Sequence, residues 1–312
     1  MYVGIDLGGT NIKAGVVDEG GKILYKDARP TGARRPAGEI LKDMADLALD
    51  TIKGAGLTLD DIKSIGVGSP GSVDAENGIL VRAENINFDN VHVCEEISKY
   101  TTKPVFLGND ANVAALAEYY AQGKEMECFM AVTLGTGVGG GIVINGKLFT
   151  GTNGVAAEVG HMVTHAGGCQ CTCGRYGCWE AYASVSALIR QTKASLAEDN
   201  TSLMYEMVGG NLDKVGGKTA FDAAKKGDAA AQKVVQNYID NVSIGVANLI
   251  NVLQPDMIVI GGAISKEGDY LLNPIKAFCE RETFTQGHKM TELKIAGLGN
   301  DAGLIGAAFL GK

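Results

Sequence analysis

The stretch LGGTNIKAGVVDEGGKI, residues 7–23, returns in altered form as LGTGVGGGIVINGKL, residues 134–148. Each copy has a glycine-threonine loop, a β-branched apolar run and a turn ending in Gly-Lys. An apolar β-branched run bounded by turn residues reads as strand. Each loop also follows an apolar run, YVGID before the first and FMAVT before the second. The repeat predicts two related halves, each opening as strand, glycine loop, strand.

Working outward, KILYKD after the EGG turn is a further strand. Residues 36–54 carry Ile40, Leu41, Met44, Leu47 and Ile52 at helical spacing. SIGVGSPG and PVFLGND (104–110) read as strands, with a helix in ANVAALAEYYAQG directly after the second. Residues 234–253 form a long helix that stops before Pro255. DMIVIGGAIS is a strand running into a glycine pair that opens a helix. LKIAGLG is the last strand and DAGLIGAAFLG the last helix.

The glycine loops carry the first chemical signal. Bare backbone N–H groups in such turns cradle anions. DLGGT, TLGTG and IGGAIS each stand at a strand end. They make Gly8, Gly9, Thr10, Asn11, Thr133, Gly135, Thr136, Gly137, Gly261 and Gly262 candidates for nucleotide phosphates. The P-loop pattern is absent, because Leu212 stands where the glycine before Gly217-Lys218-Thr219 belongs. GTGVGG spells a dinucleotide fingerprint, but a strand follows it rather than a helix.

Of 312 residues, 44 are glycine, about twice the usual share of roughly 7%. They cluster at the ends of β-branched runs, where backbone turns sharply or approaches a ligand. The net charge of -8 argues against nucleic acid and anionic membrane as partners. The opening MYVGIDLGGT has no basic and apolar leader pattern, and no apolar run nears the ~18 residues of a membrane span. A cytoplasmic protein is expected.

The stretch GGCQCTCGRYGCWE, residues 167–180, holds four of the seven cysteines and the only tryptophan. In a reducing compartment such clustering favours metal over disulfides. Cys171, Cys173 and Cys178 can converge on one ion. The fourth ligand of a closed tetrahedral zinc site comes from Cys169, His161 or His165. A closed site activates no water, so the zinc is structural. Cys94, Cys128 and Cys279 are scattered and read as core residues, and His92 and His288 as surface or satisfied core.

GIDLGGTNIK, GND (108–110), LGTGVGGG, EVGH (158–161), CTCGRYGCWE and IGGAIS stand in the order seen in the ROK family of sugar kinases and repressors, which this chain resembles almost throughout. The zinc segment and NINF after Ala83-Glu84 look most like the bacterial glucokinases of that family. The resemblance implies an α/β fold like that of actin and hexokinase. Two domains would each hold a five-stranded mixed sheet flanked by helices, with a cleft between them. The expected division is 1–108 with the C-terminal helix 301–312, and 109–300 with the zinc loop.

The implied activity is ATP-dependent phosphorylation of a hexose at the 6-hydroxyl, most simply glucose. Another hexose (N-acylmannosamine, mannose or fructose) is the alternative within the enzyme class, and a sugar-responsive repressor the alternative outside it. Repressors of the family carry a helix-turn-helix before the phosphate loop, for which residues 1–3 leave no room. The resemblance makes Asp110 the catalytic base, whose bland reading is a helix N-cap. Asp6 stands near Mg²⁺ and phosphate, and Lys13 adds charge there unless it is merely solvated strand surface. Sugar contacts fall on Gly71, Asn109, Asp110, Glu158, His161 and Glu180. The zinc ligands carried over are His161, Cys171, Cys173 and Cys178, with Cys169 and His165 spare. Sugar and ATP are the expected partners, in a homodimer or homotetramer.

Overall fold

In the computed structural model, residues 1–83, 85–284 and 287–312 are described; Glu84 of the family comparison lies outside them. The chain opens as a meander of β1 (Tyr2–Leu7), β2 (Asn11–Val17) and β3 (Ile23–Pro30). Then come α1 (Ala37–Gly54), β4 (Ser64–Ser69), β5 (Ser72–Asp74), β6 (Ile79–Ala83), β7 (Phe88–His92) and α2 (Val93–Ser98). They lead to β8 (Val105–Asn109), α3 (Asp110–Ala121), β9 (Cys128–Leu134), β10 (Val138–Ile144) and β11 (Lys147–Leu148). After the cysteine loop come α4 (Glu180–Ala183), α5 (Val185–Glu198), α6 (Leu203–Met207), α7 (Thr219–Lys225) and α8 (Ala229–Leu253). The chain closes with β12 (Met257–Gly262), α9 (Asp269–Glu282), β13 (Glu292–Ile295) and α10 (Ala302–Phe309).

One five-stranded sheet has the order β3-β2-β1-β4-β8, the other β11-β10-β9-β12-β13. In chain order both run third, second, first, fourth, fifth. The sequence repeat is therefore a repeat of topology, and β5-β6-β7 form a separate small antiparallel sheet. The first sheet is mixed: β1 pairs antiparallel with β2 and parallel with β4, and β4 pairs parallel with β8. In the second, β10 and β11 are antiparallel while β12 and β13 are parallel. The expected mixed-sheet α/β fold is present.

The chain divides into two compact units. The first is Met1–Ala131, Gly141–Ala157 and Gly297–Lys312; the second is Val132–Gly140 and Glu158–Ala296. This division differs from one at 108/109, because α3 belongs with the first unit. The reason is α10, an almost wholly buried AGLIGAAF helix. A Cβ at Gly4 or Gly66 would overlap the Leu304 or Ala307 carbonyl, and one at Gly306 would overlap the Val113 carbonyl. Glycines thus let α10 sit directly on β1, β4 and α3. Part of the glycine excess serves this close packing rather than a ligand.

In the first unit α1 turns Ile40, Leu41, Met44, Leu47 and Ile52 into the core, as its spacing predicts. In the second, α8 begins at Ala229, a turn before the apolar pattern does. Asp228 caps it, accepting from the Ala231 N–H at 2.7 Å. The glycine pair at the end of β12 does not open an α-helix. A short 3-10 turn, Ile264–Glu267, follows it, and Gly268 (φ 59°, ψ -131°) separates that turn from α9. Cys279 is buried, Cys94 and Cys128 are half-buried, and His92 and His288 are exposed or nearly so. Among the described residues no helix is long and apolar enough to cross a membrane.

Candidate active site and metal centre

In the first unit the β1–β2 turn is closed by the Gly8 N–H donating to the Asn11 carbonyl at 3.0 Å. Thr31, which is buried, braces it by donating to the Gly8 carbonyl at 2.6 Å. Gly9, Thr10 and Asn11 are exposed at its tip. Asp6 and Lys13 face each other across the hairpin, with Lys13 Nζ 3.3 Å from Asp6 Oδ2. Lys13 is thus paired rather than merely solvated. Asp6 also lies against Gly303 in the first turn of α10, where a Cβ would come within 3.1 Å of its carboxylate.

At the end of β8, Asn109 and Asp110 divide two tasks. Asn109 is the N-cap of α3, its Oδ1 accepting from Ala111 at 2.9 Å and Asn112 at 3.3 Å. Its Nδ2 donates to the Gly71 carbonyl at 3.0 Å. Gly71 has φ +95°, and a side chain there would run into the Arg82 carbonyl, so glycine is obligatory. Asp110 is the first helical residue. It is exposed, and its Oδ1 accepts from the Ala111 N–H at 2.8 Å. The capping role that the sequence offered to Asp110 belongs to its neighbour.

In the second unit the glycine loop after β9 is closed by the Gly135 N–H donating to the Gly137 carbonyl at 3.0 Å. Ser186 donates to the Thr136 carbonyl at 2.8 Å, and the Val185 N–H to the Gly135 carbonyl at 2.8 Å. The Glu180 carboxylate lies on this loop. Its Oε2 accepts from the Val138 N–H at 3.0 Å and its Oε1 from Thr172 Oγ1 at 3.1 Å. Gly261 is buried behind the loop, near Thr133. Gly262 has φ +89° and sits against the Leu134 backbone, which by itself requires glycine.

His161, Cys171, Cys173 and Cys178 bring their ligand atoms within 4.8 Å of one another. Cys173 Sγ is 3.7 Å from Cys178 Sγ, and Cys171 Sγ is 3.7 Å from His161 Nδ1. A disulfide needs about 2.05 Å. Tetrahedral zinc with bonds of about 2.3 Å to sulfur sets sulfurs about 3.8 Å apart. The donor set fits the metal and not the bond. Burial pushes the Cys178 thiol up to about 12, helped by its sulfur neighbours. The Arg175 N–H, the largest influence on Cys173, holds that thiol below its ordinary value.

Backbone bridges between Val163 and Cys178 and between Gln170 and Tyr176 fold the loop back on itself. Gly177 (φ +80°) passes so close to the His165 carbonyl that no Cβ fits. Neither spare candidate, His165 or Cys169, joins the four converging donors. His165 stacks on Tyr182 with ring centroids 4.0 Å apart, and the Cys169 N–H donates to the Tyr182 hydroxyl at 2.7 Å. Behind the loop Trp179 is fully buried and donates to the Asn241 carbonyl of α8 at 2.8 Å, over Gly245.

Glu158 is exposed, and its carbonyl accepts from the His161 N–H at 3.1 Å. It follows Ala157, whose φ of +66° is uncommon for a residue with a side chain. Sequence reasoning missed Thr31, Thr172, Ser186 and the seat of Trp179. Thr172, between two candidate ligand cysteines, and Trp179, directly after Cys178, stood next to a visible signal.

The family model that describes the ROK family matches residues 2–312. The chain belongs to the ROK family. It is 37% identical over 308 residues to a glucokinase of Thermotoga maritima, covering 98% of this chain and 95% of that one. It is 38% identical over 316 residues to a glucokinase of Halalkalibacterium halodurans, covering 100% and 94%. A ROK glucokinase of Streptomyces griseus, solved in complex with glucose and AMPPNP, superposes with a TM-score of 0.79 at 34% identity, over 99% of this chain and 98% of that one. A xylose repressor of Caldicellulosiruptor bescii is 28% identical over 97% of this chain, but over only 76% of its own length.

Proposed function

We propose that this ROK protein is an ATP-dependent glucokinase, transferring the γ-phosphoryl group of ATP to the 6-hydroxyl of glucose. The observation that carries the catalytic assignment is the division of labour at the start of α3. Asn109 caps the helix, so Asp110 is not needed as the cap and stands exposed at its first turn. A carboxylate so placed can take the proton of the attacking hydroxyl. The helix N-terminus favours its ionised form before the reaction. Asp6 serves the Mg²⁺ of the nucleotide through water, with Lys13 beside it. The loops Gly8–Asn11 and Thr133–Gly137, with Gly261 and Gly262, receive the phosphates.

Asn109, Glu158, His161 and Glu180 bind the sugar, and Gly71 contributes by fixing Asn109. His161 can serve both metal and sugar because its two nitrogens are distinct. Nδ1 faces the cysteines, which leaves Nε2 as an N–H donor toward a hydroxyl. Zinc held by His161, Cys171, Cys173 and Cys178 supplies a fixed fold to the loop and no chemistry. We assign the protein to the cytoplasm and to a homodimer or homotetramer.

The test is ADP release across a panel of hexoses, with Asp110→Asn beside the native protein. Glucose should give the highest kcat/KM. The variant should bind glucose yet lose ~10²–10⁴-fold in kcat, the usual worth of general-base catalysis. A variant keeping more than a tenth of native kcat would remove Asp110 from the role.

A further inference from the structure

The first unit contains a cavity that the kinase reading touches only at Asn109 on its border. Its volume is about 380 Å³, inside the range of roughly 300–1,000 Å³ typical of small-molecule sites. Its apolar walls are Leu107 of β8, Leu116 and Tyr120 of α3, Leu148 of β11 and Phe309 of α10. All lie within the one compact unit.

Polar side chains break this lining at Asn109, Asn112, Lys147, Thr150 and Lys312, and Asn112 and Lys147 bear most on a ligand. Asn112 of α3 is only 5% exposed, and its Oδ1 accepts no hydrogen bond among the described residues. Buried carbonyl oxygens are nearly always paired, so an orphan acceptor on a cavity wall asks for a donor. Lys147 lies on the same lining, is exposed and has no ion-pair partner among the described residues. Lys312, also on the lining, is already committed: its ammonium donates to the Glu19 carbonyl at 2.8 Å and lies over the rings of Tyr120 and Phe309.

From these features we infer that the cavity is a binding site for a small amphipathic acid. The ligand has an apolar, ring-sized body, one N–H or O–H donor for Asn112 Oδ1 and an anionic group for Lys147. A neutral hydrocarbon would leave Asn112 unpaired, and a sugar would bury hydroxyls against apolar walls. The cavity also borders Gly108 and Asn109, so its occupant lies beside the residue that caps α3.

The probes are indole-3-acetate, indole-3-propionate and indole-3-butyrate, which carry body, donor and carboxylate at three spacings. Their 1-methyl counterparts lack only the donor. Calorimetric titration of the whole chain should show one-to-one binding by at least one acid. Its N–H form should bind about tenfold more tightly than its N-methyl form, the worth of one good hydrogen bond. Asn112→Leu should erase that difference, Lys147→Glu should weaken the whole series, and Leu148→Trp at the half-buried wall should abolish binding. The comparison of N–H and N-methyl acids needs no variant, so a misfolded Asn112→Leu would not spare the idea. No binding by any member below ~1 mM, equal affinity for N–H and N-methyl forms, or binding that survives Leu148→Trp would each overturn it.

Discussion

Two glycines two residues apart in the second loop should fail in opposite ways when given side chains. At Gly135 an added Cβ meets nothing within 4 Å, and φ is not in the left-handed region. Gly135→Val should therefore fold normally and disturb only what approaches the loop from outside, on the proposed reading the nucleotide phosphates. At Gly137 an added Cβ falls 3.1 Å from Glu180 Cδ and closer still to Oε2. Gly137→Ala must push that carboxylate away and break its 3.0 Å bond from the Val138 N–H. Hydrogen bonds to charged groups are worth about 1.5–3 kcal/mol. If that positioning is used in sugar binding, KM for glucose should rise roughly 10- to 150-fold, with a smaller change for ATP.

Gly135→Val should show the reverse pattern, a raised KM for ATP with glucose binding in the absence of nucleotide little changed. Initial rates on a grid of both substrates separate the two, with thermal melting to establish that both variants fold. Glucose KM within twofold of native in Gly137→Ala would refute the role given to Glu180. Equal damage to both substrates in both variants would show that the loop acts as one structural piece.

Elemental analysis should find one zinc per chain; Cys173→Ser should lose it and raise KM for sugar far more than KM for ATP, whereas a metal-free and fully active native protein would end the zinc assignment. Burial raises the pKa of Asp228, but the N–H groups of Ala231 and Leu203 and the Ser202 hydroxyl outweigh this and hold it below 3.8. Its stabilisation is therefore complete above the unfolded value and lost as pH falls through the folded one. The melting-temperature advantage of native protein over Asp228→Asn should be full at pH 6 and shrink below about pH 4; an advantage constant from pH 6 to 3 would contradict this. With a net charge of -8, the protein should show no sequence-specific retardation of operator fragments beside sugar genes at physiological salt. A shift competed by specific but not random DNA would instead support the repressor reading.

The two sheets were legible because their signals are local. Glycine loops, β-branched runs and the NG turn between β10 and β11 lie in the sequence itself. The short helices α4, α6 and α7 span four to seven residues, too few for apolar periodicity to register. The strands β5–β7 are three to five residues long and escaped for the same reason. The glycine pair of β12 misled because nothing in IGGAIS tells a 3-10 turn from an α-helix, and the break at Gly268 lies beyond it. The site divided likewise. Residue types and order marked the cysteine loop, but its four converging donors depend on a bridge between Val163 and Cys178, fifteen residues apart. Whether Asn109 or Asp110 caps α3 was equally hidden, since both residues are good caps.

Glu180 shows why a kinase of this kind would keep a metal that takes no part in the chemistry. Its carboxylate is set from two sides, by the Val138 N–H of the glycine loop and by the Thr172 hydroxyl and, at 3.5 Å, the Cys171 thiol of the cysteine loop. The backbone of Glu180 is fixed from behind by Trp179, whose indole is locked between Asn241 and Gly245 of α8. Val138 and Trp179 belong to packed elements and hold their places without help. Thr172 sits exposed on an irregular loop, between Cys171 and Cys173, with few apolar contacts to order it. A sulfur–metal bond on each side would remove the freedom that such a loop otherwise keeps. The proposed zinc would therefore act on the cysteine-loop side of Glu180, where the exposed Thr172 is the partner that packing leaves loose. Its removal should release Oε1 while Oε2 stays bound to Val138, loosening the Glu180 carboxylate proposed to bind the sugar without opening the glycine loop.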